Sequence, residues 1–442
     1  MRRVVYRLLR RFSVLDRWLR ERLTPAGWLV LGAAGAAAAG GIDLNQTLTA
    51  QVFTFLSCLL LLAFLASRAF RARVDISRQL PRYATAGEDF IYRVTVTNRG
   101  DATLVGATLA EHFRDPRPGY EEWRATREPG EERRNWFDRK IGYFRWRWLI
   151  ERRIPEHATE AQLPALAPGE SLVLRLAFTP RRRGRIELAG LRAARADPLG
   201  LVKGLARVPL EARVVALPKR YRIPALALPG ARKFQQGGVS LSASIGDSEE
   251  FLSLRDYRPG DPLQRVHWKS FARTGKPIVK EYQDEFFERH ALVLDTGTQR
   301  GEDAAFEEAV AIAASFVYTI DTQECLLDLL FVGGAVKTYT SGRGQSHAEH
   351  MLEVLAGVQP SPPEEFATLA RAVLARQTTL SSIIAVLLAW DEPRRQFIRQ
   401  ARASGLEVRP LLVCGAGETP PIDPGLLVLR SGAVESGLAQ LQ

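Results

Sequence analysis

The sequence predicts a membrane-anchored, multi-domain protein with two transmembrane helices, an immunoglobulin-like β-sandwich carrying an insertion, and a doubly wound α/β domain. Three observations lead to this fold class. Two uncharged apolar runs lie near the N-terminus, strand-like alternation follows them, and buried apolar runs then alternate with amphipathic helices. A chain of 442 residues with 46% hydrophobic and 25% charged residues is long enough for two or three folded units.

The two apolar runs are residues 24–42 and 44–67, and each approaches the ~20 residues that cross a bilayer as a helix. Residues 1–24, a basic tail, contain eight arginines, and three more follow the second run, whereas the turn between the runs has no lysine or arginine. Basic residues flank membrane spans on the cytoplasmic side. We therefore expect a transmembrane helical hairpin over residues 25–67, with both termini in the cytoplasm.

Residues 74–218 show alternating apolar and polar residues in runs such as 90–98 and 171–180, separated by Gly and Pro turns, which is typical of an antiparallel β-sandwich. The insertion, residues 112–162, is rich in arginine and contains four tryptophans: Trp123, Trp136, Trp146 and Trp148. Basic residues between aromatics can bind nucleic acid, with an affinity that falls steeply with salt. Beside a membrane they more often form an interfacial belt or a docking surface, and no nucleic-acid-binding module surrounds them, so we expect no nucleic-acid partner.

The α/β domain is predicted over residues 290–442, after a connector formed by residues 219–289. Three apolar runs, 291–295, 326–332 and 383–390, alternate with amphipathic helical segments. Such alternation is typical of a mainly parallel sheet that is covered by helices on both faces.

The densest polar segment, residues 249–285, lies in the connector. One interpretation is a general base, His267 beside Asp261 or Glu281, which makes a hydrolase of envelope material the alternative function. The other is an ion-pair network that docks a partner. No nucleophile or oxyanion donors stand at a recognisable spacing, so the sequence favours a non-enzymatic role with no catalytic residue. The predicted partner-binding residues are Arg255, Asp256, Tyr257, Asp261, Arg265, His267, Trp268, Lys269 and Arg273.

A family resemblance rests on four sequence stretches. RDYRPGD at 255–261 and RVHWKSFARTGKPIVKEYQDE at 265–285 resemble the signature of the domain of unknown function 58 (DUF58) family, and TPRRRGRIEL at 179–188 and ADPLGLV at 196–202 resemble its flanking pieces. The resemblance extends over nearly the whole chain. It implies two membrane helices, a β-sandwich and a von Willebrand factor A-like domain. It also implies neighbours, a MoxR-type AAA+ ATPase and transglutaminase-like membrane proteins, but no established reaction.

The von Willebrand A-like resemblance further implies a candidate metal site. Such domains often bind Mg²⁺ through an Asp-x-Ser-x-Ser loop after the first strand, joined by an Asp after the fourth. The corresponding residues here are Asp295, Gln299 and Asp391. Gly297 and Gln299 replace the two hydroxyl residues, which weakens the octahedral oxygen site that Mg²⁺ requires. We expect a degenerate Mg²⁺ site and no other cofactor; alternatively, the acids cap helices or bind a basic group of a partner.

The sequence as a whole predicts a multi-pass protein of the bacterial inner membrane that acts as a tethered adaptor or assembly factor in envelope or complex maturation. We expect its interaction surface at the carboxyl edge of the α/β sheet, adjoining residues 255–273 and formed around Asp295, Gly297, Gln299 and Asp391. The expected partners are the lipid bilayer, a MoxR-type ATPase and other membrane proteins.

Overall fold

The computed structural model describes residues 2–40, 47–224, 249–259, 261, 263, 266–284, 288–298, 304–320, 325–341, 345–415 and 423–440. The chain forms two compact units, Met1–Lys219 with Leu352–Val358, and Arg220–Met351 with Gln359–Gln442. The predicted multi-domain, mixed α/β architecture is confirmed. Most of the segment predicted as a linker, residues 218–247, lies outside the described residues.

Three helices begin the first unit: α1 (Arg2–Arg22), α2 (Pro25–Gly40) and α3 (Thr47–Ser67). Within the part of the chain that the structure describes, α3 is the helix that is long and apolar enough to cross a membrane, over Leu48–Ser67. Helix α2 is apolar but shorter, at 16 residues, and it packs against α3. The structure therefore contains one candidate span, and the second predicted span stays a prediction.

The basic tail of the sequence prediction is a helix that packs along the β-strands and the insertion. One face of α1 carries Val5, Tyr6 and Leu9, which lie against a cluster formed by the insertion. The Trp146 indole Nε1 donates a hydrogen bond to Ser13 Oγ at 2.7 Å. Near the C-terminus of α1, Glu21 pairs with two arginines of the β-strands, Arg192 and Arg207.

Eight strands of the first unit form two sheets. One has the order β1-β3-β6, and the other has the order β2-β8-β7-β4-β5. All pairs are antiparallel except β2 with β8. The strands are β1 (Val74–Gln79), β2 (Tyr83–Thr85), β3 (Phe90–Asn98), β4 (Ala107–Phe113), β5 (Glu160–Gln162), β6 (Ser171–Phe178), β7 (Gly184–Ala196) and β8 (Lys203–Leu217).

The two sheets share one apolar core. Alternate residues of β3 are buried, and they meet Leu176 of β6 together with Leu109 and Leu191 of the larger sheet. A polar group is included in this core: the Glu111 carboxylate accepts hydrogen bonds from Arg78 and from the Tyr92 hydroxyl. Burial raises the pKa of Glu111, and its two hydrogen-bonded neighbours join β1 and β3 of one sheet to β4 of the other.

Three short helices form the insertion: α4 (Tyr120–Ala125), α5 (Trp136–Ile141) and α6 (Tyr143–Glu151). Its tryptophans do not form one surface. Trp123 and Trp146 are each 2% exposed and form the core of this helical layer, whereas Trp136 is 64% exposed. A largely buried ion pair between Glu131 and Arg145 ties the segment before α5 to α6.

The turn between β7 and β8 joins the apolar helices to the β-strands. Asp197, which is 7% exposed, accepts backbone hydrogen bonds from Leu199, Leu201 and Val202 at 2.7 to 2.8 Å. Leu201 and Val202 then pack on Ala63 of α3. Residues of the ADPLGLV stretch thus hold the helices onto the sheet.

Helix α2 starts in direct contact with this turn. Thr24 Oγ1 donates to the Gly200 carbonyl oxygen at 2.6 Å and accepts from the Gly27 amide at 3.0 Å. Gly27 lies so close to Leu201 that an added Cβ would collide with the Leu201 carbonyl oxygen. The close approach explains why glycine occupies the first turn of α2.

The second unit contains a six-stranded sheet with the order β13-β12-β11-β14-β15-β16, parallel except for β13. Its elements are β11 (Glu288–Leu294), α8 (Ala304–Thr319), β12 (Cys325–Val332), β13 (Val336–Ser341), α9 (Gln345–Ala356), α10 (Phe366–Leu374), β14 (Ser382–Leu387), α11 (Glu392–Ala403), β15 (Glu407–Cys414), β16 (Leu427–Arg430) and α12 (Val434–Leu438).

Helices cover both faces of this sheet. Alternate residues of β11 and β14, including Ala291, Val293 and Ile383, share a core with α10 and α11. The intervening residues point to the opposite face, where α8 packs against β11, β14 and β15. Every residue of β14 is buried, which accounts for its continuous apolar sequence.

The connector folds separately from this sheet as a strand–helix–strand segment: β9 (Glu249–Asp256), α7 (Trp268–Thr274) and β10 (Ile278–Asp284). Strands β9 and β10 form their own two-stranded antiparallel sheet. We call residues 249–284 the signature hairpin.

Replacing Asp197 by alanine should destabilise the first unit. The two buried amides of Leu201 and Val202 would lose their acceptor, and each unsatisfied buried group costs about 1–3 kcal/mol. We expect the thermal midpoint of the detergent-solubilised chain, followed by tryptophan fluorescence, to fall by several degrees. The Asp101→Ala variant is the control because its carboxylate is 96% exposed, and equal midpoints for the two variants would contradict the structural role of Asp197.

Candidate functional site

The chain changes direction across the sheet between β11 and β14, which are neighbours. From β11 it continues to β12 on one side, and from β14 to β15 on the other. Ligands of open α/β sheets collect outside the carboxyl ends of the strands at such a reversal. Asp295 follows β11 and Asp391 follows β14, so the structure brings these two predicted acids to one place.

A buried arginine connects the two acids. Arg394 of α11 donates from Nε to Asp295 Oδ2 at 2.6 Å and from Nη2 to Asp295 Oδ1 at 3.1 Å. Its third nitrogen, Nη1, donates to Asp391 Oδ2 at 2.6 Å. The side chains of Arg394 and Asp295 are each 1% exposed. The site is therefore a bidentate, fully desolvated ion pair with a second acid at its rim.

The surroundings keep this arginine charged. Burial alone lowers the pKa of an arginine, but the hydrogen bonds and charges of Asp295 and Asp391 raise the pKa of Arg394 above its usual range. The guanidinium also lies 4.6 Å from the centroid of the Phe366 ring, which adds a cation–π contact. The Arg394 guanidinium thus supplies a fixed positive charge at the carboxyl edge of the sheet.

The geometry does not fit a Mg²⁺ site. Both oxygens of Asp295 accept hydrogen bonds from Arg394, and they also accept from the backbone amides of Gly297 and Leu388. The Thr296 hydroxyl donates to the Val332 carbonyl oxygen instead of facing the acids. Gln299 lies outside the described residues. Among the residues that are described, no three His, Cys, Asp or Glu side chains are grouped as metal ligands.

Burial also limits which of these residues a partner can reach. Asp295 and Gly297 are buried, so the expectation that they contact a partner is wrong; their role is internal. Asp391 has a 45% exposed side chain. It caps α11 by accepting from the Arg394 amide at 3.2 Å, which agrees with the alternative that an acid here caps a helix.

The signature hairpin contains the remaining predicted site residues, apart from Arg265, which lies outside the described residues. Arg255 pairs with Asp261 through two hydrogen bonds of 2.7 and 2.8 Å. Hydrogen bonds from the Arg255 side chain and the Arg258 amide lower the pKa of Asp261 to about 2. The pair is lost only as the pH falls through that value, so it constrains the loop between β9 and α7 at every physiological pH.

His267 has a local partner. Its Nδ1 lies 2.6 Å from Ser270 Oγ, three residues later on the first turn of α7. Asp261 is engaged by Arg255, so the described contacts do not form the His267–Asp261 acid–base pair of the hydrolase alternative. The side chain of Glu281 lies outside the described residues. The hydrolase stays a prediction without a supporting observation.

The outer surface of the signature hairpin combines exposed apolar and basic side chains. Trp268 is 60% exposed and packs edge-to-face on Phe271, with ring centroids 5.9 Å apart. Other exposed side chains of the signature hairpin are Leu254, Leu263, Asp256, Lys269, Arg273 and Lys276. We call this set the aromatic–basic patch. It contains four of the nine predicted partner-binding residues: Asp256, Trp268, Lys269 and Arg273.

The signature hairpin and much of the α/β unit match a known protein family. Residues 253–405 match the family model described as "Protein of unknown function DUF58". The resemblance is thereby confirmed over the signature hairpin and much of the α/β sheet, including Asp295, Asp391 and Arg394. The DUF58 match assigns no reaction.

Two uncharacterised bacterial proteins have sequences similar to part of this chain. "Uncharacterized protein YeaD" of Bacillus subtilis is 28% identical over 176 residues, covering 39% of this chain and 42% of that protein. "Uncharacterized protein Rv1480" of Mycobacterium tuberculosis is 29% identical over 186 residues, covering 39% of this chain and 58% of that protein. The matched stretch spans about half the length of these relatives.

Solved structures are similar to parts of the chain. The CARDB domain of the PF1109 protein from Pyrococcus furiosus is 14% identical, with a TM-score of 0.17, covering 33% of this chain and 91% of that chain. The ASH/PapD-like domain of human CEP192 is 12% identical, with a TM-score of 0.16, covering 33% of this chain and 87% of that chain. Scores this low carry no argument about function.

Sequence reasoning missed Arg394, the residue that organises the carboxyl edge. It lies 99 positions from Asp295, and no local pattern predicts their contact. One local signal was present: Asp391 and Arg394 are three residues apart at the start of a helix, a spacing that brings side chains together.

Removing the guanidinium should destabilise the α/β unit strongly. The Arg394→Met variant leaves the Asp295 carboxylate buried without its counter-charge, at a cost of about 3–5 kcal/mol. We expect amide hydrogen exchange in β11 and β14, measured by mass spectrometry, to accelerate accordingly, with Arg394→Lys intermediate. The control is Arg399→Ala on the same helix, whose side chain is 65% exposed; equal exchange in both variants would disprove the role of the pair.

Magnesium should not stabilise the wild-type α/β unit. Arg394 already occupies both oxygens of Asp295, so a divalent cation would have to displace a buried hydrogen-bonded guanidinium. We expect the exchange rates of β11 and β14 to be the same in millimolar Mg²⁺ and in EDTA. A clear slowing in Mg²⁺ would show that the predicted metal site exists.

Proposed function

We propose that this protein is a membrane-tethered adaptor whose α/β unit, a von Willebrand A-like domain, engages a MoxR-type AAA+ ATPase through the aromatic–basic patch. The complex would act in envelope or complex maturation, with other membrane proteins, such as transglutaminase-like ones, as further partners. The observation that supports the proposal best is the exposure of Trp268 beside Phe271 on a hairpin braced by its own ion pair.

The chemistry of the patch suits a protein partner. Aromatic and basic side chains on a rigid support are enriched at interaction hot spots, whereas a large exposed tryptophan is unfavourable on a free surface. Trp268 and Phe271 supply apolar area, and Lys269 and Arg273 add positive charge beside them. The expected contact surface on the partner is therefore an acidic rim around an apolar pocket.

The carboxyl edge supports a non-enzymatic role. Its most buried acid is neutralised by Arg394, so it offers neither a free base nor a metal-binding carboxylate. Asp391, whose side chain is 45% exposed, adds a partly accessible carboxylate at this edge. We assign binding to the signature hairpin and structural support to the Asp295–Arg394 pair.

Membrane tethering rests on α3, the candidate span, and on the positive charge at both ends of the apolar helices. We propose that α2 and α3 form a two-span hairpin in the bacterial inner membrane, with both termini in the cytoplasm. The α/β unit would then face a cytoplasmic ATPase.

The test is a crosslinking pull-down from membranes, with and without ATP. The Trp268→Ala/Phe271→Ala variant should lose the ATPase that the wild type recovers, because truncating two hot-spot aromatics costs about 2 kcal/mol or more each. The matched control is Tyr318→Ala, which removes an aromatic side chain of the same unit that is 63% exposed. Equal recovery of the ATPase by both variants would exclude the patch, and its absence from the wild-type sample would exclude the partner.

A further inference from the structure

Helix α1 has two apolar faces, and the strands and insertion cover only one of them. Tyr6 and Leu9 belong to the covered face, against Trp123 and Trp146 of the insertion. The second face is exposed, and its residues repeat at helical spacing: Val4, Leu8, Phe12, Leu15 and Trp18. Phe12 is 72% exposed, the highest value on this face. We call these five residues the α1 stripe.

The stripe continues directly into the candidate membrane span. Its last member, Trp18, has its ring centroid 5.9 Å from that of Phe64, three residues before the end of α3. The Arg22 guanidinium lies over both rings, at 5.5 and 5.8 Å. The Trp18–Phe64 contact therefore joins the α1 stripe to the end of α3.

Five of the eight arginines of α1 fall into two groups. Arg17 and Arg20 pair with acidic residues one turn away on the same helix. Arg7, Arg10 and Arg11 have no carboxylate partner among the described residues. Positions 7 and 11 lie one turn apart beside the stripe, so unpaired positive charge borders the exposed apolar face.

We propose that α1 lies in the plane of the membrane surface, with the stripe in the headgroup–acyl boundary and Arg7, Arg10 and Arg11 on anionic lipid phosphates. The inference rests on the proposed membrane anchor. A helix of 21 residues is about 30 Å long, and an apolar stripe with a basic border is the pattern of an interfacial helix. Because the opposite face holds the insertion, α1 is a layer between lipid and the folded first unit.

The experiment uses the full chain in lipid nanodiscs, on a background in which Cys58, Cys325 and Cys414 are alanine. An environment-sensitive fluorophore is attached to one new cysteine at a time. The three sites are Phe12→Cys in the stripe, Leu62→Cys in α3 and Val173→Cys on β6; all three native side chains are exposed. Nitroxide-labelled lipid and aqueous iodide serve as quenchers.

We expect the labels at positions 12 and 62 to be quenched by the nitroxide lipid and shielded from iodide, and position 173 to show the reverse. If position 62 is lipid-quenched and position 12 behaves like position 173, the interfacial helix is excluded while the anchor stands. If position 62 is open to iodide, the anchor itself is excluded. Shielding of position 12 from both quenchers means that protein covers the stripe, which also overturns the inference.

Lipid charge provides a second readout. Each arginine near an anionic surface favours the docked state by about fivefold. Lipid quenching at position 12 should therefore increase when phosphatidylglycerol replaces part of the phosphatidylcholine. This increase should disappear in the Arg7→Gln/Arg10→Gln/Arg11→Gln variant and persist in Arg93→Gln, a substitution in β3. Independence from lipid charge in the wild type would contradict the assigned role of the three arginines.

Discussion

The buried pair of Arg394 and Asp295 determines what the α/β unit can do. It places a permanent cation where parallel sheets of this topology present their ligand-binding edge. A desolvated guanidinium with two carboxylate neighbours is stable only when the strands on both sides hold their positions. The loops after β11 and β14 are therefore constrained together.

Sequence periodicity predicts the strands well where burial follows the backbone period. The alternation of β3 and the continuous apolar sequence of β14 each correspond to the burial observed, on one face for β3 and on both faces for β14. The ADPLGLV stretch was identified by resemblance alone, and the structure supplies its physical reason: Asp197 organises the turn that packs on α3. These features depend on local spacing, which a sequence displays directly.

The features that sequence analysis missed depend on contacts between distant residues. Arg394 looks like one more charge on an amphipathic helix until Asp295 is placed beside it. The tail before α2 looks simply basic because arginines are interspersed among its apolar residues in the sequence. Trp123 and Trp146 resemble surface aromatics in sequence, yet they meet the first helix in a core. A linear pattern specifies composition and period, but not which face finds a partner.

The turn at Asp197 has a mechanical consequence for the apolar helices that it contacts. Most tethers act as flexible leashes that raise the effective concentration of a domain and leave its orientation free. Here α2 is joined directly to the turn between β7 and β8 through Thr24, Gly27 and Leu201. A rotation of the strands would therefore be transmitted to α2 and α3, so these contacts set the orientation of the sheet relative to the apolar helices.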